Sequence, residues 1–476
     1  MGTAIVNRIF RKADYHAFYN VLRDETNLLK KWVKEKNMSE RTKEVGLELE
    51  GWLLDENMSP SQSNLQFIRD YKDYHLVFEI TKSCLEINSD RYPLDSHVFS
   101  RHEASLNEYI GKCIANAGEQ HKNFIYVGAL PTAQTTSFSK KFLTKAARYH
   151  AIDKSMVNLR DGNPICFDIQ GEQDRFIKRI HSVAIGGAIA ALQIHLRIGL
   201  SESARCYNTA QIIAAPLVAL CCNSPCLLGQ RLWSESRIPF LEQLFQMKNK
   251  YNNQWTTRAF FGRGYLKQSM LELFIENETF HESLLPEINS ASREQMLNLR
   301  LHNGTIYRWN RPVLGFDESG GPHFRIENRM LSSGPTVVDM CANMAFYIGL
   351  IQFFSNRAVP LESEVAFKTA RRNFYLAARH GLAAKLNWVD NKTCNAGELL
   401  LNTLLPAAWQ GLTQLDINQS EIGFYLSILE ARVRTLRTGS YWQNLFLEKN
   451  NNDVVHLTQT YVELQKKGFP VHEWPI

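Results

Sequence analysis

The chain is short of most features that assign a protein quickly. Residues 1–10 hold no apolar stretch leading to a small-residue cleavage site, so no secretory signal is expected there. They also miss the myristoylation pattern, because Val6 stands where Ser or Thr is needed. Long hydrophobic runs are scarce. The most apolar, 183–192, ends where Gln193, His195 and Arg197 interrupt it, too early to cross a bilayer, and no membrane partner is expected. The nine cysteines are odd in number and irregular in spacing, which argues against a disulfide framework. Cys84, Cys113, Cys166 and Cys341 sit among apolar residues and read as buried thiols. Cys221, Cys222 and Cys226 crowd together but lack the second Cys/His pair of a zinc site. A reducing, cytoplasmic setting is the expectation.

Charge of one sign is nearly cancelled. The chain has 54 Lys+Arg and 48 Asp+Glu, so +6 is spread over 476 residues, and no nucleic-acid partner is expected. The signatures GxxxxGK[ST], GxGxxG, GxSxG and HExxH are all missing. If ATP is used, it is used without a P-loop. What remains is an ordinary globular composition, 44% hydrophobic and 21% charged, which excludes a disordered chain.

Hydrophobic spacing predicts a leading helix over 13–37, carried by Phe18, Val21, Leu22, Leu28, Leu29 and Trp32. Strands are predicted at 45–54, 76–88, 124–128, 193–198, 305–309 and 323–329. Helices are predicted at 203–222 and 268–276, with a helical tract over 337–437 in which Gly381 marks a helix end and Pro406 a break. Strands scattered among helices indicate an α+β fold. The expected division is a helical lead-in (1–43), a core (44–335) and a helical C-terminal part packed on that core (336–476).

Three strands carry polar residues two apart, which places them on one face. Glu48 and Glu50 alternate with Val45, Leu47 and Leu49. Two neighbouring carboxylates on a half-buried strand repel, and a divalent cation such as Mg2+ relieves that; a solvated acidic face is the other reading. Gln193, His195 and Arg197 alternate with Ile194, Leu196 and Ile198, offering a metal-ligating imidazole beside phosphate- or carboxylate-binding groups. Arg325, Glu327 and Arg329 form either an ion-pair ladder or a metal-bound carboxylate flanked by guanidinium groups. Glu79 and Glu86 flank a further strand-like stretch. Arg308 and Arg311 interleave with Tyr307 and Trp309, a pattern suited to binding an anion in a pocket. Together these suggest a metal–ATP site on an antiparallel sheet.

With those residues in view, the sequence resembles the glutamate–cysteine ligase type 2 family, carboxylate–amine ligases of the glutamine synthetase-like fold. The matching stretches run in order: GLELEGWLLD (46–55), LEINS (85–89), FIYVGALP (124–131), IHLRIG (194–199), CCNSPCLLGQRLWSESR (221–237), RIENR (325–329) and RRNFYLAARHGL (371–382). HNGTIYRWNRP (302–312), GPTVVDMCAN (334–343) and PVHEWPI (470–476) look like a subgroup.

The resemblance implies a curved antiparallel sheet forming a funnel, with helices outside it. It implies ATP and two or three Mg2+ ions, with Mn2+ as an alternative. A carboxylate, typically the γ-carboxylate of glutamate, attacks ATP to give an acyl phosphate and ADP, and an amine such as cysteine displaces phosphate. Carried onto this chain, the metal ligands are Glu48, Glu50, Glu86, His195 and Glu327. Arg329 and Glu327 are the catalytic pair, with Arg329 on the transferred phosphate. Gln193, Arg197 and Arg311 fall to the nucleotide, and Arg231, Arg237 and Arg308 to the other substrates. Two departures stand out: Arg197 replaces the second histidine of an HxH found in many members, and Ser332 replaces an aspartate. A different amine acceptor, a catalytically silent binding module and a homo-oligomer all stay open.

Overall fold

The computed structural model describes residues 5–7, 9–40, 43–248, 254–289 and 293–476. Residues 1–4 and 8, part of the segment read for leader signals, lie outside the described residues. Eight strands make one antiparallel sheet: β1 (Glu44–Leu54), β2 (Leu76–Phe78), β3 (Cys84–Asn88), β4 (Tyr92–Pro93), β5 (Asn123–Ile125), β6 (Ala191–Ile198), β7 (Asn310–Phe316) and β8 (Pro322–Ser332). The order is β7-β8-β6-β1-β3-β2, with β4 and β5 also paired to β1. The sheet curls into a half-barrel, and the fold is the mixed, funnel-like α+β architecture expected.

Strict alternation makes the sheet two-faced. Val45, Leu47 and Leu49 of β1 pair with Leu196, Ile194 and Leu192 of β6, and Leu49 also meets Ile87 of β3. All are buried, forming an apolar face covered by helices Val98–Glu119 and Val337–Ser355, which also pack on each other. A one-residue slip would bring every glutamate of β1 onto that face, so burial fixes the register. The polar residues line the concave side.

The helical tract holds the core together. Val337–Ser355 is long and apolar enough to span a membrane by composition, a longer stretch than 183–192, yet nearly all of it is buried against protein. It packs on helix Leu405–Thr413 at very short range. A Cβ added at Gly411 would lie 1.9 Å from the Gly349 carbonyl oxygen, so both backbones need glycine there.

Several elements differ from the periodicity. The 76–88 stretch is two strands joined by a turn. Of 305–309, only Tyr307–Arg308 is strand, and it pairs in parallel with Ala259–Phe260 outside the main sheet. The neighbouring β7 has no clear strand period because Pro312 and Gly315 interrupt its pattern; as an edge strand it tolerates the proline. The 203–222 helix is two, Ser203–Ile212 and Ala214–Cys221. Gly381, at φ +55°, does end a helix, and a hairpin (Lys385–Asn387 with Thr393–Asn395) follows. Pro406 does not break its helix: a wider π-turn, Leu400–Leu404, precedes it and accommodates the ring. Cys166 is exposed, on the solvent side of a hairpin (Ile165–Gln170 with Arg175–Ile180) that alternates buried and exposed residues.

Candidate active site

The concave face of the sheet bounds a cavity of about 560 Å3. Strand pairing places its polar residues. His195 on β6 stands opposite Gly46 of β1 on one side and Glu327 of β8 on the other, and Glu327 in turn opposes Arg311 of β7. Glu48 pairs with Gln193, and Glu50 with Glu86. Three strands therefore bring Glu48, His195 and Glu327 together, with ligand atoms within 4.8 Å of one another. His195 Nε2 lies 3.1 Å from Glu48 Oε1, and its Nδ1 has no hydrogen-bond partner. An imidazole set between two carboxylates with a ring nitrogen left over fits a divalent cation. Glu327 still has room for one: Arg311 donates Nε and Nη2 to its two oxygens at 2.8 and 2.7 Å, and Arg329 donates a third bond. A carboxylate has about four acceptor positions.

A bulge between Asn328 and Leu331 aims Arg329. Behind it, Arg237 donates to the carbonyls of Arg329 (3.2 Å) and Met330 (3.3 Å) and to Ser332 Oγ (3.2 Å), and pairs with buried Glu235 at 3.3 Å. Ser332, where the aspartate was expected, donates to Glu235 at 2.7 Å. On its front side Arg329 reaches Glu327 and Gln193 through Nη1, and its Nε has no partner.

The carboxylates fall into two groups. Burial pushes Glu48 and Glu327 upward, but the cations outweigh it, His195 and Arg329 for Glu48, Arg311, Arg329 and His195 for Glu327. Both are held well below the usual carboxylate range. Glu50, Glu79 and Glu86 are raised, first by burial and then by neighbouring carboxylates, Glu79 acting on Glu50 and Glu48 on Glu79 and Glu86, with Glu50 brought to about 7. Glu50 accepts from the Ala191 amide at 2.7 Å and Gln193 Nε2 at 2.8 Å, and Glu86 from Asn88 at 3.0 Å. Such repulsion is what a bound cation relieves. Burial works to lower Arg329, but Glu327 and Glu50 prevail and lock it in the charged form.

Of the residues singled out in the sequence, Glu48, Glu50, Glu86, Gln193, His195, Arg237, Arg311, Glu327 and Arg329 all line this cavity. Three arginines do not. Arg197 is buried against Glu44 (3.3 Å) and Ser39 (2.7 Å). Arg308 is buried on Glu276 (2.5 Å) and over the Phe260 ring. Arg231 pairs with Glu448 at 2.7 Å, away from the cavity. Each is already neutralised by an internal carboxylate, and Arg311 too is committed to Glu327 instead of facing a ligand. Cavity residues given no role from sequence include Tyr149 and Arg300, and Glu79 is marked only as flanking a strand. Arg325, which the sequence offers as a guanidinium flanking Glu327, does line the cavity; Arg300 comes from a helix and has no alternating pattern to mark it.

The sequence model of glutamate–cysteine ligase family 2 matches residues 44–459. The chain belongs to that family. Family membership carries a coarse activity, that of an ATP-dependent ligase joining a carboxylate to an amine. No curated protein sequence matches the chain. Among solved structures it is similar to the glutamate–cysteine ligase of Francisella tularensis in complex with AMP, with a TM-score of 0.58 and 11% identity over 90% of each chain, a likeness of fold. A bifunctional glutathione synthetase from Pasteurella multocida gives 0.49 at 10% identity, over 89% of this chain and 53% of that one.

Proposed function

We propose that this ligase is ATP- and Mg2+-dependent and joins the γ-carboxylate of glutamate to the amine of cysteine, through an acyl phosphate, with release of ADP and phosphate. One observation carries the reading: Glu48, His195 and Glu327 converge on a point of the cavity wall beside Arg329, their ligand atoms within 4.8 Å of one another. Bound there, Mg2+ supplies charge neutralisation for the phosphate oxygens. Glu50 and Glu86 are the further ligands, and the crowding of Glu50 by Glu79 and of Glu86 by Glu48 and Glu79 supports that role.

Phosphoryl transfer asks mainly for positioning and electrostatic stabilisation. Arg329 is held rigid by Gln193 and Glu327 in front and, through its carbonyl, by Arg237 behind. A guanidinium fixed before the substrate arrives needs no reorganisation when charge develops. The acyl phosphate must meet the amine before water, and the apolar walls, including Trp52, Leu244 and Phe245, help to exclude water.

ADP release measured with glutamate and a panel of amines, with and without Mg2+, tests the reading. Metal-dependent release requiring both glutamate and cysteine is expected. Dependence on another amine would rename the acceptor, and no metal-dependent ADP across a broad panel would overturn the ligase in favour of a silent binding module.

A further inference from the structure

Arg329 is braced at both of its backbone polar groups from one short helix, Arg237–Leu244. At the start of that helix, Arg237 Nη2 donates to the Arg329 carbonyl at 3.2 Å. The Arg329 amide donates in turn to the Trp309 carbonyl at 2.8 Å. Trp309 then returns to the far end of the helix, its Nε1 donating to Glu242 Oε1 at 2.9 Å. The Tyr375 hydroxyl donates to the same Oε1 at 2.9 Å and lies 3.2 Å from Oε2. Tyr375 sits on helix Phe367–His380, in the 371–382 stretch that resembles the family yet lends no residue to the cavity wall. Its neighbour Phe374 packs on the buried Trp309 ring, with 6.0 Å between centroids. Helix Phe367–His380 therefore supports Trp309 twice, directly through Phe374 and through Glu242 by way of Tyr375.

The sheet alone does not hold Arg329. Neither β6 nor β7 has a residue in register with it, because the bulge takes residues 329 and 330 out of the ladder. Backbone groups released from a ladder must find partners elsewhere, and those partners then set where the side chain points. We propose that Glu242 is a positioning residue for Arg329: by holding the Trp309 indole, it fixes the carbonyl that receives the Arg329 amide. This rests on the ligase reading above for the task that Arg329 performs. Glu242 does not line the cavity, so it acts on a substrate only through these contacts. Both of its donors are neutral and share Oε1, so the role asks for an acceptor oxygen and not for a charge. Through Tyr375, the helical C-terminal part takes a share in building the site.

The test takes two readings on the full-length protein, as wild type, Glu242→Ala and Glu242→Gln. The first is metal-dependent ADP formation per folded molecule. Misplacing a catalytic group slightly is costly, so Glu242→Ala should lower kcat by about tenfold to a hundredfold and leave both KM values within about threefold. Glu242→Gln, which keeps the acceptor oxygen, should recover kcat to within about threefold of wild type. Placed in an Arg329→Gln chain, Glu242→Ala should cost little further, because the group it positions is gone. A glutamine variant as slow as the alanine one, a full additional loss in the Arg329→Gln chain, or a raised KM with kcat intact would each overturn the proposal. The second reading is native-state hydrogen exchange over residues 326–332, which needs no turnover. The Arg329 amide should exchange about tenfold faster in Glu242→Ala and at the wild-type rate in Glu242→Gln, while β1 and β6 keep their protection. Unchanged exchange at this segment, or equal acceleration across the whole sheet, would overturn the positioning role. If wild type forms no metal-dependent ADP with any amine, the ligase reading is what fails, and the exchange measurement then decides the role of Glu242 alone.

Discussion

The molecule contains two sets of buried acids and bases, built on opposite terms. In the helical part, Arg432 donates to Asp339 at 2.7 Å and to Asn343 at 2.7 Å, while Asp339 also accepts from Thr336 (2.8 Å) and from the Val471 amide (3.0 Å). Among these groups only Arg432 Nε and Asn343 Nδ2 lack a partner. In the cavity, Glu50 and Glu86 are crowded by other carboxylates, and His195 Nδ1 has no hydrogen-bond partner. The charges of the first cluster are matched within the protein, joining helix Val337–Ser355 to helix Gln419–Arg434 and the C-terminal segment. The second is completed only by something added. Residue types are alike in both; saturation separates scaffold from site.

The largest effect should come from unbalancing the incomplete cluster. Glu327→Gln is expected to lower metal-dependent ADP formation by about three orders of magnitude. The fold should persist, since Gln still accepts from Arg311. In a thermal-shift series, saturating Mg2+ should raise the wild-type midpoint, a stabilisation of about 2.7 kcal/mol at a hundredfold excess over Kd, and leave the variant unmoved. A rate loss under tenfold would detach the cluster from the reaction.

The complete cluster should respond in the other quantity. Arg432→Met leaves Asp339 charged and buried, a change that costs about 3–5 kcal/mol. Denaturant titration should show that loss, while the folded fraction turns over at the wild-type rate. Adding Asp339→Asn to the same chain should restore much of the stability. Failure of that rescue would mean the pair is not what holds these elements.

Glu242 falls between the two sets. Part-buried, it accepts only from neutral donors, Trp309 Nε1 at 2.9 Å and the Tyr375 hydroxyl at 2.9 Å. Burial pushes its carboxyl up to about 7 against those hydrogen bonds. A folded value above the unfolded one means the folded state holds the proton more tightly. The associated stability is complete below about 4.5 and is lost as pH rises through about 7, at most about 3 kcal/mol in all. Urea midpoints from pH 5 to 8 should fall more steeply in wild type than in Glu242→Gln; identical slopes would show that Glu242 stays ionised.

How far the site was legible follows from the same contrast. The strand period of two was enough to align Glu48, His195 and Glu327, because alternation decides a face without reference to distant residues. Pairing was not legible. Arg197 meets Glu44 153 residues away, and Arg231 meets Glu448 217 residues away, and no local pattern announces either partner. Strand β7 was hidden by Pro312 and Gly315, and with it the fact that Arg311 grips Glu327. Arg300 depends on a helix whose position is set by Glu25, far earlier in the chain.

The smallest effect belongs to Arg231, which sequence resemblance assigned to substrate and the structure seats outside the cavity. Its pair with Glu448 is half open, the two side chains being 12% and 52% exposed. Partly exposed pairs of this kind contribute about 0–1 kcal/mol, since solvent screens them and two long side chains must be ordered. Arg231→Met should therefore shift stability within that range and leave kcat and both KM values within about twofold of wild type. An intact protein with a tenfold rise in KM for either substrate would bring Arg231 back to the site, which would require the pair with Glu448 to open during turnover. Glu448→Gln separates the cases. If the pair holds Arg231 away from substrate, releasing it should lower KM; if the pair is only a surface contact, KM should stay where it is.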